Sequence, residues 1–299
     1  MASQQTPRLL FVHAHPDDET INNGATIAHY TARGAEVTVL TCTLGEEGEV
    51  IGDRWARLAV DEADQLGGYR IGELTAALGE LGAGRPRFLG GAGRWRDSGM
   101  AGTPARRRPR FADADLDEAA GQLADVIAEL RPHVVVTYDP NGGYGHPDHI
   151  QAHRVLMYAV ALAAVPSFRL DLGEPWKVSK VYWTALPKGM LRDGIRALRE
   201  AGEDTGFAAM DPDNLPIGTE DELVTTSVDY SDLLDTKMEA LAQHASQVQT
   251  DGGFFALSNN LGTKAMGVEH FRIAAGELAG PFDEDGRERD LFNGVTRSE

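Results

Sequence analysis

Two stretches of the chain carry the same His-Pro-Asp core. One is His15-Pro16-Asp17-Asp18-Glu19 and the other, far along the sequence, is Gly145-His146-Pro147-Asp148-His149. Imidazole and carboxylate are the donors that suit a borderline divalent cation such as zinc, so His15 and Asp18 are candidate ligands. Two adjacent aspartates repel, and a cation is the simplest means of keeping both ionised. Pro16 stops the preceding strand and stiffens the turn that presents the carboxylates. A helix N-terminus would also favour Asp and Glu there, but a second His-Pro-Asp segment is not explained by capping. Three protein ligands with an open position are what a hydrolytic metal site requires. Spacing alone leaves the ligand set open, because His13 shares a strand face with His15 and His153 lies one helical turn beyond His149.

The elements around these segments give them a place. Arg8 to Ala14 and Glu36 to Cys42 read as strands, as do Arg87 to Leu89 and His133 to Tyr138. Thr20 to Arg33, Arg54 to Leu66, Leu74 to Leu81, Leu116 to Leu130 and Asp148 to Val165 read as helices. Strand and helix in alternation predict an α/β fold, a mostly parallel sheet with helices on both faces. Both His-Pro-Asp segments then follow strands, at the carboxyl ends where such sheets bind ligands. After Pro166 the pattern loosens. Lys177 to Ala185 and Thr225 to Val228 read as strands, Met190 to Ala201 and Ser231 to His244 as helices, and Glu203 to Glu222 as an acidic loop. A boundary near residue 170 predicts a catalytic domain over 1–170 and a smaller α/β subdomain over 171–299 that covers the site.

Composition narrows the function classes. Of 299 residues, 28 are Lys or Arg and 46 are Asp or Glu, a formal charge of −18. A phosphate backbone or an anionic lipid surface calls for a basic face, so neither nucleic acid nor membrane is an expected partner. The Arg-rich run Arg106 to Arg110 reads as a solvated loop. Val155 to Val165 is the longest apolar run and falls well short of the ~20 residues that span a bilayer. Leu9 to Val12 is too short for a signal-peptide core, and a single cysteine, Cys42, permits no internal disulfide. A cytoplasmic protein is expected, with Cys42 a buried structural thiol and no oligomeric state specified.

With both segments in view, the chain resembles the metal-dependent deacetylases that remove acetyl from N-acetylglucosaminyl conjugates, the LmbE-like or PIG-L-like family. The resemblance is closest over Thr41 to Trp55, Gly90 to Met100 and Pro132 to His149, and recurs more weakly at His244 to Gln247 and Leu257 to Asn260. It implies a Rossmann-like sheet and one Zn2+ per chain, with Fe2+ the alternative that two imidazoles and a carboxylate also suit. It matches His15, Asp18 and His149 to the metal ligands, Asp17 to the general base and His146 to the group that stabilises the oxyanion, with either His146 or Asp17 the source of the proton for the leaving amine. Asp148 becomes a candidate for orienting a neighbouring histidine, and Tyr144 for a lid contact near the oxyanion. Arg70 and Asp97 match positions that hold sugar or inositol hydroxyls, with Glu49 and Met100 lining the same pocket.

Within the family, the match favours deacetylases acting on N-acetylglucosaminyl-inositol, a small neutral glycoside of mycothiol biosynthesis. Mycothiol-conjugate amidases, the runner-up, place a lysine where this chain has Thr20-Ile21-Asn22-Asn23-Gly24 and a proline where it has Gly145. A metal-dependent sugar-binding protein without activity is the rival of another class, but binding alone needs neither Asp17 nor His146. A dinucleotide-binding domain would show Gly-x-Gly-x-x-Gly after the first strand, where His-Pro-Asp-Asp stands, and Gly-x-Ser-x-Gly is absent.

Overall fold

A computed structural model of the chain describes residues 6–107, 109–200, 202, 206–250 and 266–296. Its strands are β1 (Arg8–His13), β2 (Glu36–Thr41), β3 (Arg87–Phe88), β4 (Val134–Thr137), β5 (Lys180–Ala185), β6 (Thr226–Asp229) and β7 (Val268–Ala275). Its helices are α1 (Asp18–Ala32), α2 (Leu66–Glu80), α3 (Leu116–Leu130), the single turn α4 (Gly142–Gly145), α5 (Pro147–Ala163), α6 (Lys188–Glu200) and α7 (Leu234–Gln243). The strands form one sheet in the order β3-β2-β1-β4-β5-β7-β6. Every pair from β3 to β5 is parallel, whereas β7 runs antiparallel to both β5 and β6. The α/β sheet with helices on both faces is therefore as expected, and residues beyond 171 extend the same sheet by three strands.

The buried strands are continuous apolar runs because both faces are covered. Alternate residues of β1 serve opposite layers. Leu10 and Val12 pack with Leu123 and Ile127 of α3 and Val155 and Leu156 of α5. Leu9 and Phe11 pack with Ile27 of α1, Leu74 and Leu78 of α2 and Ala240 of α7. Cys42 is buried in the first layer. Local signals set the helix ends. The Asp115 carboxylate accepts the Glu118 N–H at 2.9 Å to start α3. Pro147 opens α5, where its missing N–H costs nothing.

Sheet order locates the site. The chain leaves β1 toward β2 on one side and returns through α3 to β4 on the other. The parallel pairs Leu9–Val134 and Phe11–Val136 make these two strands neighbours. Between their carboxyl ends lies the switch point of the doubly wound sheet, the place where the adjoining loops diverge and leave a crevice.

Two parts of the chain depart from the sequence pattern. Arg54 to Leu66 is not a helix but a series of turns with one short 3-10 segment, Ala56–Leu58, and α2 begins only at Leu66. Ion pairs across loops compete successfully with the helix here, since Asp64 pairs with Arg96 at 2.7 Å and Arg107 at 3.1 Å, and Asp61 pairs with Arg106. Those arginines belong to, or lie beside, the basic run read as a solvated loop. Strand β7 escaped the sequence reading because a charged residue, Glu269, occupies one of its inward positions. Its carboxylate is buried, accepts the N–H groups of Ala25 and Thr26 at 2.9 Å each, and pairs with Lys237 at 2.7 Å. Among the described residues, no helix is long and apolar enough to cross a membrane.

Glu269 thus ties β7, α1 and α7 together. Glu269→Ala would leave the Lys237 ammonium buried without its counter-charge and should cost about 3–5 kcal/mol. Chemical denaturation measures this, and a loss below about 1 kcal/mol would contradict the assigned role.

Candidate active site

β1 ends at His13, and the chain makes a tight turn through Ala14, His15 and Pro16 before α1 begins at Asp18. From the neighbouring strand, β4 leads through Tyr138 and α4 to His146, which stands at the head of α5. The two turns bring three donor atoms together. His15 Nδ1 lies 3.2 Å from His149 Nε2, and Asp18 Oδ2 lies 3.4 Å from each. A cation held at about 2.1 Å from three donors in tetrahedral geometry needs donors about 3.4 Å apart. The triangle matches that requirement.

The neighbours of these donors orient them for the same purpose. His149 Nδ1 donates to the Gly142 carbonyl at 3.1 Å, which fixes the tautomer and leaves the Nε2 lone pair facing the triangle. The His149 ring stacks on Tyr138 with centroids 4.1 Å apart. Tyr138 accepts the Ala14 N–H at 2.8 Å and donates to Asp18 Oδ2 at 2.7 Å. The other nitrogen of His15, Nε2, lies 3.3 Å from Asp148 and 3.4 Å from Asp97. Burial alone would lower the His15 pKa, but Asp97, Asp148 and Asp18 hold it well above the ordinary histidine value. Burial alone would raise Asp18, but His149 and His15 hold it well below the usual carboxylate range. These are the directions expected of a site arranged to keep anionic donors ionised.

Asp17 stands beside the triangle in an unusual backbone conformation, φ 108° and ψ −33°. A residue with a Cβ pays about 1–3 kcal/mol for such a position and holds it only when its surroundings impose it. Here Arg70 donates to the Asp17 carboxylate at 2.9 Å and also to the carbonyl of Pro16. The Asp17 N–H donates to Glu19 at 2.9 Å. Burial pushes the Asp17 pKa up to about 6, with Arg70 opposing and Asp18 assisting. His146 lies on the other side, its ring centroid 4.6 Å from that of His15. Its Nδ1 accepts the Asp148 N–H at 3.2 Å, so the proton of the neutral ring sits on Nε2. Burial, His15 and His149 push its pKa down to about 3.

Comparison with known proteins agrees with this geometry. The PIG-L family, described as GlcNAc-PI de-N-acetylase, matches residues 10–160. The 1D-myo-inositol 2-acetamido-2-deoxy-alpha-D-glucopyranoside deacetylase of Geodermatophilus obscurus is 58% identical, covering 96% of this chain and 98% of its own. The chain belongs to the PIG-L family. In fold, this PIG-L chain is similar to N,N'-diacetylchitobiose deacetylase from Pyrococcus horikoshii. The two share 20% identity at a TM-score of 0.59, over 90% of this chain and 84% of the other. It is also similar to the 4-carboxy-2-hydroxymuconate hydratase GalB of Pseudomonas putida. That match has 18% identity and a TM-score of 0.58, over 93% of this chain and 100% of the other. Likeness at that distance carries the fold alone.

Not every residue singled out in this PIG-L chain opens toward a ligand. Arg70 is buried and spends its guanidinium on Asp17, Pro16 and the Gly45 carbonyl. Asp97 is also turned inward, accepting the N–H groups of Gly99 at 2.9 Å and Glu47 at 3.1 Å while facing His15. Glu49 is exposed, as is Met100. Tyr144 is half exposed, its ring centroid 5.0 Å from that of His149, and burial together with Asp18 pushes its pKa up to about 12. Asp148 serves His15 and is held by the Ser98 N–H at 2.8 Å. His13 is fully buried against Phe11 and Tyr138. His153 Nδ1 donates to the Tyr138 carbonyl at 3.0 Å, apart from the triangle. His244 is fully buried on Glu19 at 2.9 Å, whereas Leu257 to Asn260 lie outside the described residues.

Sequence reasoning passed over Tyr138, Ser98 and Gly142. Only Gly142 left a readable signal, as one member of a glycine-rich turn. Its φ is +64°, and a Cβ there would stand 2.6 Å from the His149 Cβ and 2.8 Å from the Ile150 nitrogen. Gly142→Ala should therefore displace His149 and weaken zinc binding by about 10–100-fold. Isothermal titration of the metal-free protein with zinc measures this, and an unchanged affinity would refute it.

Proposed function

We propose that this chain is a metal-dependent N-deacetylase. It hydrolyses the acetamide of 1D-myo-inositol 2-acetamido-2-deoxy-α-D-glucopyranoside to acetate and glucosaminyl-inositol, a step of mycothiol biosynthesis. The observation that carries this reading is the donor triangle with the Asp17 carboxylate beside it. The substrate follows from relatives of the same name at 52–58% identity over nearly the whole chain. His15, Asp18 and His149 would hold one divalent cation, Zn2+ by preference, with Fe2+ suited to the same donors. Such a cation supplies Lewis acidity, making water a stronger acid and polarising a carbonyl.

The chain's own residues do the rest. Asp17, with a pKa near neutrality, accepts a proton from the attacking water. Oxygen bonds to the acetyl carbon, and the carbonyl oxygen becomes anionic. His146 can meet that charge only through Nε2–H, because its Nδ1 is occupied by the Asp148 N–H. It acts as a hydrogen-bond donor, since giving up the proton of a neutral ring would leave an imidazolate. The proton that the departing nitrogen needs then comes from Asp17, the only group that has just gained one. The C–N bond breaks, releasing acetate and the amine. Asp148 and Asp97 orient His15, and Arg70 holds Asp17. Tyr144, Glu49 and Met100 are assigned to the open rim, where a glycoside would lie.

Residues 1–170 are assigned to catalysis and 171–299 to a covering role. This division is supported by the packing of His244–Gln247 against Glu19, Glu73 and the Gly48–Ile51 loop. The reaction is assigned to the cytoplasm, whose reducing conditions suit a chain with a single buried thiol.

Acetate release from N-acetylglucosaminyl-inositol tests the proposal. Chelation should abolish it and zinc should restore it. Asp17→Asn should lower kcat by about 10²–10⁴-fold, and His146→Ala by about 10²–10³-fold, with metal content unchanged in both. Wild-type turnover in either variant would sink the assigned roles, and cleavage of a mycothiol conjugate in preference to the acetamide would sink the substrate.

A further inference from the structure

Asp17 is held from two sides, and the two holds meet behind it. On one side Arg70 of α2 donates to its carboxylate and to the Pro16 carbonyl. On the other, the Asp17 N–H donates to Glu19 Oε2 at 2.9 Å. The second oxygen of Glu19 faces His244 Nε2 at 2.9 Å and accepts the Thr20 hydroxyl at 2.5 Å. His244 ends α7, in the carboxyl-terminal part of the chain. Two residues on, the Ser246 N–H and hydroxyl donate to Glu73 at 2.8 and 2.7 Å. Glu73 sits on α2, one turn from Arg70. With helix α2 joining Arg70 to Glu73 and the main chain joining Ser246 to His244, these contacts close into a ring that runs Asp17, Arg70, Glu73, Ser246, His244, Glu19 and back to Asp17. Glu19, His244 and Ser246 are fully buried, and Arg70 and Glu73 nearly so.

A ring of this kind is not needed to hold a metal, since none of these hydrogen bonds ends on His15, Asp18 or His149. Nor is it the simplest way to pack these elements, because buried polar groups stabilise less than apolar packing of equal volume. What it does achieve is to fix both the carboxylate and the main-chain N–H of one residue whose backbone would otherwise relax. We infer that Glu19 and His244 are positioning residues that set the strained conformation of Asp17, so that the carboxyl-terminal segment completes the geometry of the base. This rests on the deacetylase reading. Glu19 fixes the Asp17 N–H, and His244 fixes Glu19. Ser246 and Glu73 hold α7 and α2 in register, so that the two arms pull on Asp17 from constant positions. A misplacement of about 1 Å in a reacting group is enough to cost about 10²-fold in rate.

The test compares His244→Leu, which removes the arm, with His244→Gln, whose amide can still donate to Glu19. His244→Leu should lower kcat by about 10²-fold with KM and zinc content unchanged, and His244→Gln should recover most of that loss. In an Asp17→Ala background, His244→Leu should cost nothing further, because the residue it positions is gone. Independently of turnover, amide hydrogen exchange on the metal-free protein should show Asp17 exchanging at least 10-fold faster in His244→Leu, with the β1 amides still protected. Ser246→Ala, a milder change on the far side of the ring, should show the same pattern at smaller amplitude if His244→Leu does not fold. Full kcat in His244→Leu, equal losses with and without Asp17, or parallel loss of zinc would each overturn the inference. No acetate from the wild-type enzyme would instead overturn the deacetylase reading itself, while the exchange result would still report on the ring.

Discussion

Everything at this site depends on bringing three donor atoms from two distant segments to within 3.4 Å of one another. His15 and His149 are 134 residues apart in sequence. They meet because β1 and β4 are adjacent parallel strands whose ends open at the same level. The register Leu9–Val134 and Phe11–Val136 decides where the following turns begin. A slip of one residue would send every side chain of a strand to the opposite face. The apolar layers on both sides of β1 resist such a slip, so the hydrophobic core is also what keeps the donor triangle at the size a cation requires.

The second constraint is electrostatic. Asp18, Asp97 and Asp148 crowd around the imidazole of His15, and Asp17 and Glu19 flank Asp18 in the chain. Buried carboxylates at this density need positive charge or donated hydrogen bonds. The protein provides backbone N–H groups from His15, Ser98, Gly99 and Glu47, the Tyr138 hydroxyl, and the Arg70 guanidinium. Asp17 has one carboxylate oxygen on Arg70. Burial outweighs that contact and, with Asp18 beside it, lifts the Asp17 pKa toward neutrality. The same logic gives the net charge of −18 a narrow meaning: the acidity that matters locally is compensated, and the remainder is spread over the surface.

The carboxyl-terminal part of the chain contributes in a less visible way. It adds β5, β7 and β6 to the sheet, and it delivers His244 to Glu19 of α1 and Ser246 to Glu73 of α2. Tyr144, Glu49 and Met100 are exposed to solvent, while Arg70 and Asp97, matched to sugar contacts by resemblance, are turned into the protein. Burial thus divides residues that proximity in the sequence groups together.

Much of this was legible in the sequence. The apolar runs of β1, β2 and β4, the capped helices α3 and α5, and the two His-Pro-Asp turns are local signals, set by the near neighbours of each residue. They determine the α/β class, the place of the site at strand ends, and the donor types available there. Other features were decided only in three dimensions. Arg54 to Leu66 forgoes a helix because Asp61 and Asp64 find arginines across a loop. Strand β7 hides its alternation because an inward charge is matched by Lys237 and by N–H groups in the middle of α1. The choice of His149 over His153, the turning of Asp148 toward His15, and the ring that clamps Asp17 all depend on pairs of residues brought together across the sheet. Local sequence carries the identity of such groups, but their distances follow from strand order and register, and it is those distances that turn donors into a site.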